Sequence, residues 1–129
     1  MCIRDRNDNR HTMALFFQNR ASEIFGVDIH PAAKISGGVM IDHATGVVIG
    51  ETSVIDENVS IYQGVTLGGK GFENGDRHPK IKSGVSIFAS STILGNITIE
   101  KNAKVAAGSL VLKDVKKNTT VAGIPAKEI

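Results

Sequence analysis

Residues 80–111 read KIKSGVSIFASSTILGNITIEKNAKVAAGSLV, and every sixth position from Ile81 is aliphatic: Ile81, Ile87, Ile93, Ile99, Val105, Val111. The same spacing runs upstream through Ile49, Ile55, Ile61 and Leu67. About a quarter of the chain is Ile, Val or Leu, so chance would fill ten such positions on the order of once in a million. A second ladder stands four residues behind the first: Val59, Val65, Val85, Ile97, Val115 and Val121, with Ser53, Ser91, Ala103 and Ser109 on further rungs. A period of six is neither the helical 3.6 nor an alternation that could continue as one long strand. It is the signature of a hexapeptide β-helix, in which each unit supplies one short strand and a corner, and coils stack aliphatic on aliphatic. Three units per coil predict about five coils from Val27 to Val121.

The ladder breaks between Leu67 and Ile81, fourteen residues apart. The intervening Gly68-Gly69-Lys70-Gly71-Phe72-Glu73-Asn74-Gly75-Asp76-Arg77-His78-Pro79-Lys80 reads as a loop projecting from the solenoid. Such insertions lie either on a working face or on a tolerant surface.

Upstream, residues 1–12 are polar and aperiodic and read as a leader that need not be native. Residues 13–26 read as one helix ended by Gly26, with apolar positions 13, 16, 17, 21, 24 and 25 on one face suited to cover the first coil. Residues 27–129 form the solenoid, and the repeat dissolves near Lys116–Lys127. With 129 residues, no Trp and one Tyr, the composition suits a thin aliphatic prism in one domain. A net charge of +2, with no basic stripe, gives no support for nucleic acid. One cysteine, Cys2, excludes an internal disulfide. No long apolar run or signal core is present, so a cytoplasmic protein without a membrane partner is expected.

Several polar residues stand within the repeats. The six-residue frame puts His43 on the slot six before Ile49, beside Asp42, and Asp28 can lie one coil away. A carboxylate behind a histidine fixes its tautomer and supports the imidazolium formed on proton uptake. The competing reading of Asp42-His43-Ala44-Thr45-Gly46 is a polar corner. In the loop, Arg77 can grip a carboxylate beside His78, or the two are a solvated pair. Glu51 reads as a solvent-facing rung residue, and single lysines such as Lys70, Lys80, Lys82 and Lys104 as surface. The four histidines are scattered and no Cys/His cluster has metal-ligand spacing, so no metal is expected.

These residues resemble the serine acetyltransferase family of hexapeptide acyltransferases. Asp28-Ile29-His30-Pro31-Ala32-Ala33-Lys34-Ile35 resembles the start of that family's left-handed β-helix, and Asp42-His43-Ala44-Thr45-Gly46 with Gly50-Glu51-Thr52 its catalytic coil. Val65-Thr66-Leu67-Gly68-Gly69 and Gly75-Asp76-Arg77-His78-Pro79-Lys80-Ile81 are similar to its loop, and Ile93-Leu94-Gly95-Asn96 and Ala107-Gly108-Ser109 follow in order. The resemblance implies acetyl transfer from acetyl-CoA to L-serine, with His43 as general base, Asp28 supporting it, Asp42 on the serine ammonium, and Arg77 and His78 on the carboxylate. It further implies a homotrimer whose grooves bind the coenzyme, lined by Gly69, Ala89 and Lys104. The family's helical N-terminal domain is represented here only by its last helix, Met13–Phe25, which makes the chain a C-terminal catalytic part. The resemblance also implies a C-terminal tail ending in isoleucine that docks into cysteine synthase in the full-length protein; most of that tail is expected to be missing here, where Ile129 closes the chain. A sugar-type hydroxyl acceptor is the alternative, with the same base and a pocket without paired charges.

Overall fold

The computed structural model describes residues 2–71 and 74–129. From Asp28 onward the chain winds as a left-handed parallel β-helix with three faces. The first face stacks Asp28–Ile29, Val48–Ile49, Thr66–Gly68, Thr92–Leu94 and Leu110–Val111. The second stacks Lys34–Ile35, Val54–Ile55, Lys80–Ile81 and Thr98–Ile99. The third stacks Met40–Ile41, Ser60–Ile61, Ser86–Ile87, Lys104–Val105 and Thr120–Gly123, and Ala126–Glu128 folds back antiparallel on the last of these.

Two-residue strands arise because the chain turns a corner in each hexapeptide, and those turns need left-handed backbone. Asn58, Asn102 and Asn118 occupy that region at the corner between the second and third faces, where an asparagine side chain tolerates it. Register then fixes three inward columns: Ile29–Ile49–Leu67–Ile93–Val111, Ile35–Ile55–Ile81–Ile99–Val115 and Ile41–Ile61–Ile87–Val105–Val121. From Ile49 to Val105 the column residues are essentially fully buried. Each such Ile or Leu contributes about 1.5–3 kcal/mol by leaving water. The second ladder is buried as well, serines included.

The columns correct the frame in three places. The rung before Ile49 is Ile41, eight residues earlier, so His43 lies in a corner two residues longer than the regular six-residue step allows and not on an inward slot. The loop is eight extra residues within a single six-residue step, since Leu67 and Ile81 stand on consecutive faces. Val115 and Val121 join the first ladder, because the last coil is two residues short.

Residues read as an aperiodic leader include a helix, α1 (Cys2–Asn7), which packs on α2 (His11–Phe25). Asp5 is buried there and accepts hydrogen bonds from Arg10. The apolar face expected to cover the first coil does not do so: Met13, Phe16, Ile24 and Phe25 are exposed, and Ala14 is the buried residue of α2. The helix meets the prism at its edge strand Asp28–Ile29 instead, where Gln18 donates to Asp28. Among the described residues no helix is long and apolar enough to cross a membrane, and no group of three or more His, Cys, Asp or Glu is placed to hold a metal ion.

Candidate active site

The corner between the third and first faces carries Asp42 and His43. Its two surplus residues are accommodated by left-handed backbone at His43 (φ 58°) and Ala44 (φ 60°). Elsewhere, positive φ at a non-glycine falls on asparagine, Ser90 excepted. Alanine has no side-chain bond to offset that conformation, and such strain persists only where the surroundings impose it. Here Gly46 N donates to Gly26 O, Val47 N to Ala44 O and Asp42 N to Ile61 O. The turn thrusts the His43 side chain outward, 72% exposed, with Nε2 4.0 Å from Asp42 Oδ1. Asp42 Oδ1 also accepts from the His43 backbone N–H at 3.0 Å. Asp28 lies on the first coil of the first face and accepts from Gln18 Nε2 at 2.7 Å. Among the described residues no hydrogen bond joins Asp28 to His43.

The opposite edge of the first face carries the second cluster. Arg77 Nη2 donates to Glu51 Oε2 at 2.8 Å and Nη1 to Gly75 O at 3.1 Å, which leaves guanidinium N–H groups to spare. The Arg77 hydrogen bond holds the Glu51 carboxyl below its ordinary range, with His30 adding to the effect. Glu51 is thus the partner of Arg77 and not a plain solvent-facing rung. His78 is only 7% exposed, which removes the solvated-pair reading. Its ring lies over Gly50, where a Cβ would stand 2.0 Å from Cδ2. Burial, then the positive charge of Arg77, pushes the imidazole pKa below 6.5. Lys80 Nζ ties the loop's return with hydrogen bonds to Thr52 O at 3.1 Å, Asp76 Oδ1 at 2.6 Å and His78 O at 2.6 Å. A cavity of about 310 Å³ opens beside this cluster, lined by Lys34, Glu51, Thr52, Asp76 and Lys80 among others.

The remaining expected residues are likewise spread over the prism. Gly69 sits with Arg77, whose side-chain carbons lie 3.4–3.5 Å from where a Cβ would be. Ala89 belongs to the edge of Asp42 and His43, two coils further on, and Lys104 is exposed on the third face. One chain therefore unites Arg77 with His78 and Asp42 with His43, but not the two pairs. The first face separates them: Val47 to Gly50 alone spans roughly 10 Å at about 3.3 Å per residue. The structure adds Thr52 and Glu51 to the cluster; their adjacency in the Gly50-Glu51-Thr52 run is the sequence signal for them.

A prism of stacked hexapeptide rungs, with a histidine thrust from one edge and a charged loop folded onto the next, defines a hexapeptide-repeat β-helix protein. No family profile matches the chain. Over 121 residues it is 60% identical to the serine acetyltransferase of Haemophilus influenzae, covering 94% of this chain and 45% of that relative. A Brucella abortus serine acetyltransferase solved in complex with coenzyme A superposes with a TM-score of 0.98 at 53% identity, covering 99% of this chain and 51% of that one. For a Neisseria gonorrhoeae serine acetyltransferase solved in complex with serine the TM-score is 0.96 at 58% identity, with 99% and 52% covered. The chain belongs to the serine acetyltransferase family, as its C-terminal part, and spans about half the length of the relatives it matches.

Proposed function

We propose that the protein transfers acetyl from acetyl-CoA to the hydroxyl of L-serine, giving O-acetylserine for cysteine biosynthesis, at sites built between neighbouring copies of a homotrimer. One observation carries this reading: an acid–imidazole pair and an arginine–imidazole pair flank opposite edges of a single face. An α-amino acid needs an anion for its ammonium and a cation for its carboxylate, a few ångströms apart. Those groups meet when the edge with Asp42 and His43 in one copy faces the edge with Arg77 and His78 in the next.

In this reading His43 Nε2 takes the serine hydroxyl proton as the oxygen attacks the thioester carbonyl. Collapse of the tetrahedral adduct breaks the C–S bond, and the imidazolium returns its proton to the departing coenzyme thiolate. No acyl-enzyme is needed, because both substrates are held together. Asp28 supports His43, Asp42 receives the ammonium, and Arg77 with His78 the carboxylate. Gly69, Ala89 and Lys104 line the coenzyme groove. Relatives solved with coenzyme A and with serine support both ligands. Residues 27–129 are the acyltransferase domain, α2 (His11–Phe25) a helix leading from a helical domain, and the protein works in the cytoplasm. Docking to cysteine synthase belongs to the full-length protein.

Thiol release from acetyl-CoA with serine, serine amide and N-acetylserine tests the acceptor. Serine alone is expected to be acetylated well. Equal use of the two charge-capped analogues overturns the paired-charge site and favours a sugar-type acceptor.

A further inference from the structure

We propose that Thr52 is a positioning residue of the substrate site, whose hydroxyl and backbone N–H together fix His78 as the tautomer protonated on Nε2. This rests on the reading of Arg77 and His78 as the carboxylate site.

The argument is a count of lone pairs and protons. Thr52 Oγ1 accepts from the backbone N–H of Arg77 at 3.0 Å and of His78 at 3.1 Å. A hydroxyl has two lone pairs and one proton, so both acceptor positions are filled and the proton is left to donate. That proton meets His78 Nδ1 at 2.9 Å, with the Asp76 carboxylate also near the hydroxyl. The Thr52 backbone N–H also points at that nitrogen, at 3.2 Å. Two donors converge on Nδ1, so Nδ1 carries the lone pair and the neutral ring must hold its proton on Nε2. A proton on Nδ1 would face the Thr52 N–H and leave both without an acceptor.

The surrounding charges favour the neutral ring. Burial opposes a positive imidazole, as do Arg77, Lys80 and His30, while Glu51 favours it. Among the described residues Nε2 has no acceptor partner, and it is not sealed from solvent. It is therefore a neutral donor available to an anionic group, with the Arg77 charge close enough to act on the ring. Every polar atom of Thr52 serves this arrangement, since its carbonyl accepts from Lys80. Threonine supplies what this position needs: a hydroxyl that accepts twice and donates once, on a chain short enough to stay between two loop amides.

The test combines imidazole ¹⁵N NMR with kinetics on the protein and its Thr52→Ser and Thr52→Val variants, the His78 signal being assigned by its loss in His78→Asn. The parent and Thr52→Ser should show a proton on Nε2 and a bare Nδ1. Thr52→Val removes one hydrogen bond to the ring and strands two loop amides, so serine KM should rise about tenfold or more, with acetyl-CoA affinity unchanged. Thr52→Ser should restore serine KM to within a few-fold. A parent spectrum with the proton on Nδ1 overturns the proposal, as does a folded Thr52→Val variant with parental serine KM. If Thr52→Val does not fold, the parent spectrum and the serine variant still decide. If serine is not a substrate at all, the carboxylate reading falls, while the tautomer of free His78 still reports on Thr52.

Discussion

Replacing Gly50 with alanine puts a carbon 2.0 Å from His78 Cδ2, 2.1 Å from Nε2 and 2.8 Å from Cγ. Carbon atoms pack at about 3.5–4.0 Å, so one partner must retreat by roughly 1.5 Å. The Gly50 backbone resists, because its N–H donates to Leu67 O and its carbonyl accepts from Ser53 N. The ring gives way instead, and its hydrogen bonds to Thr52, at 2.9 and 3.2 Å, stretch beyond 3.5 Å. Two neutral hydrogen bonds at about 1 kcal/mol each, with partial loss of ring burial, total about 2–3 kcal/mol. The inward columns are untouched, so the melting transition should shift little. The loss should appear in serine kcat/KM, as a fall of about 30- to 150-fold. Gly37→Ala is the control, since nothing lies within 4 Å of its added carbon. Steady-state kinetics alongside circular dichroism makes the comparison. A folded Gly50→Ala variant with serine kinetics matching Gly37→Ala refutes the reasoning.

His43→Ala should lower turnover on the order of a hundredfold or more, and Asp28→Asn by less, as read from initial rates at saturating substrates. Lowering of the His78 pKa means that the unfolded chain binds more protons just below pH 6.5, so stability is complete above that value and falls as pH drops through the folded pKa. Urea midpoints should therefore be lower at pH 5 than at pH 7.5, and His78→Gln should shrink that difference; Glu51 and Asp76, whose ordinary values are 4.5 and 3.8, titrate below this window. Ile87→Ala, in the middle of its column, should cost about 2–5 kcal/mol in urea denaturation, against almost nothing for the exposed Ile129→Ala.

The fold was legible because hexapeptide stacking writes itself into the sequence as repeated aliphatics with no long-range ambiguity. Ile29, Ile35 and Ile41 continue the ladder backward, and the eight-residue gap to Ile49 marks the His43 corner as an insertion, which a frame counted only from Ile49 does not show. The loop was visible as an interruption, but its true surplus needed the knowledge that Leu67 and Ile81 stand on adjacent faces. Seating of His78 over Gly50, and its bonds to Thr52, join residues 26 or more apart through a loop without periodicity. Nothing in local pattern encodes such contacts. The outward face of α2 is not legible in the sequence, because amphipathic spacing identifies an apolar stripe without identifying what lies against it.

The division of the two residue pairs between opposite edges has a genetic consequence. If each site draws His43 from one subunit and Arg77 from its neighbour, two defective proteins can repair one another. Co-refolding His43→Ala with Arg77→Ala in equal amounts yields mixed rings in which about one quarter of the edge-to-edge pairings unite an intact His43 with an intact Arg77. Activity reappearing from two nearly inactive parents, up to about that fraction, is what shared sites require, whereas sites closed within one chain would leave the mixture as inactive as its components.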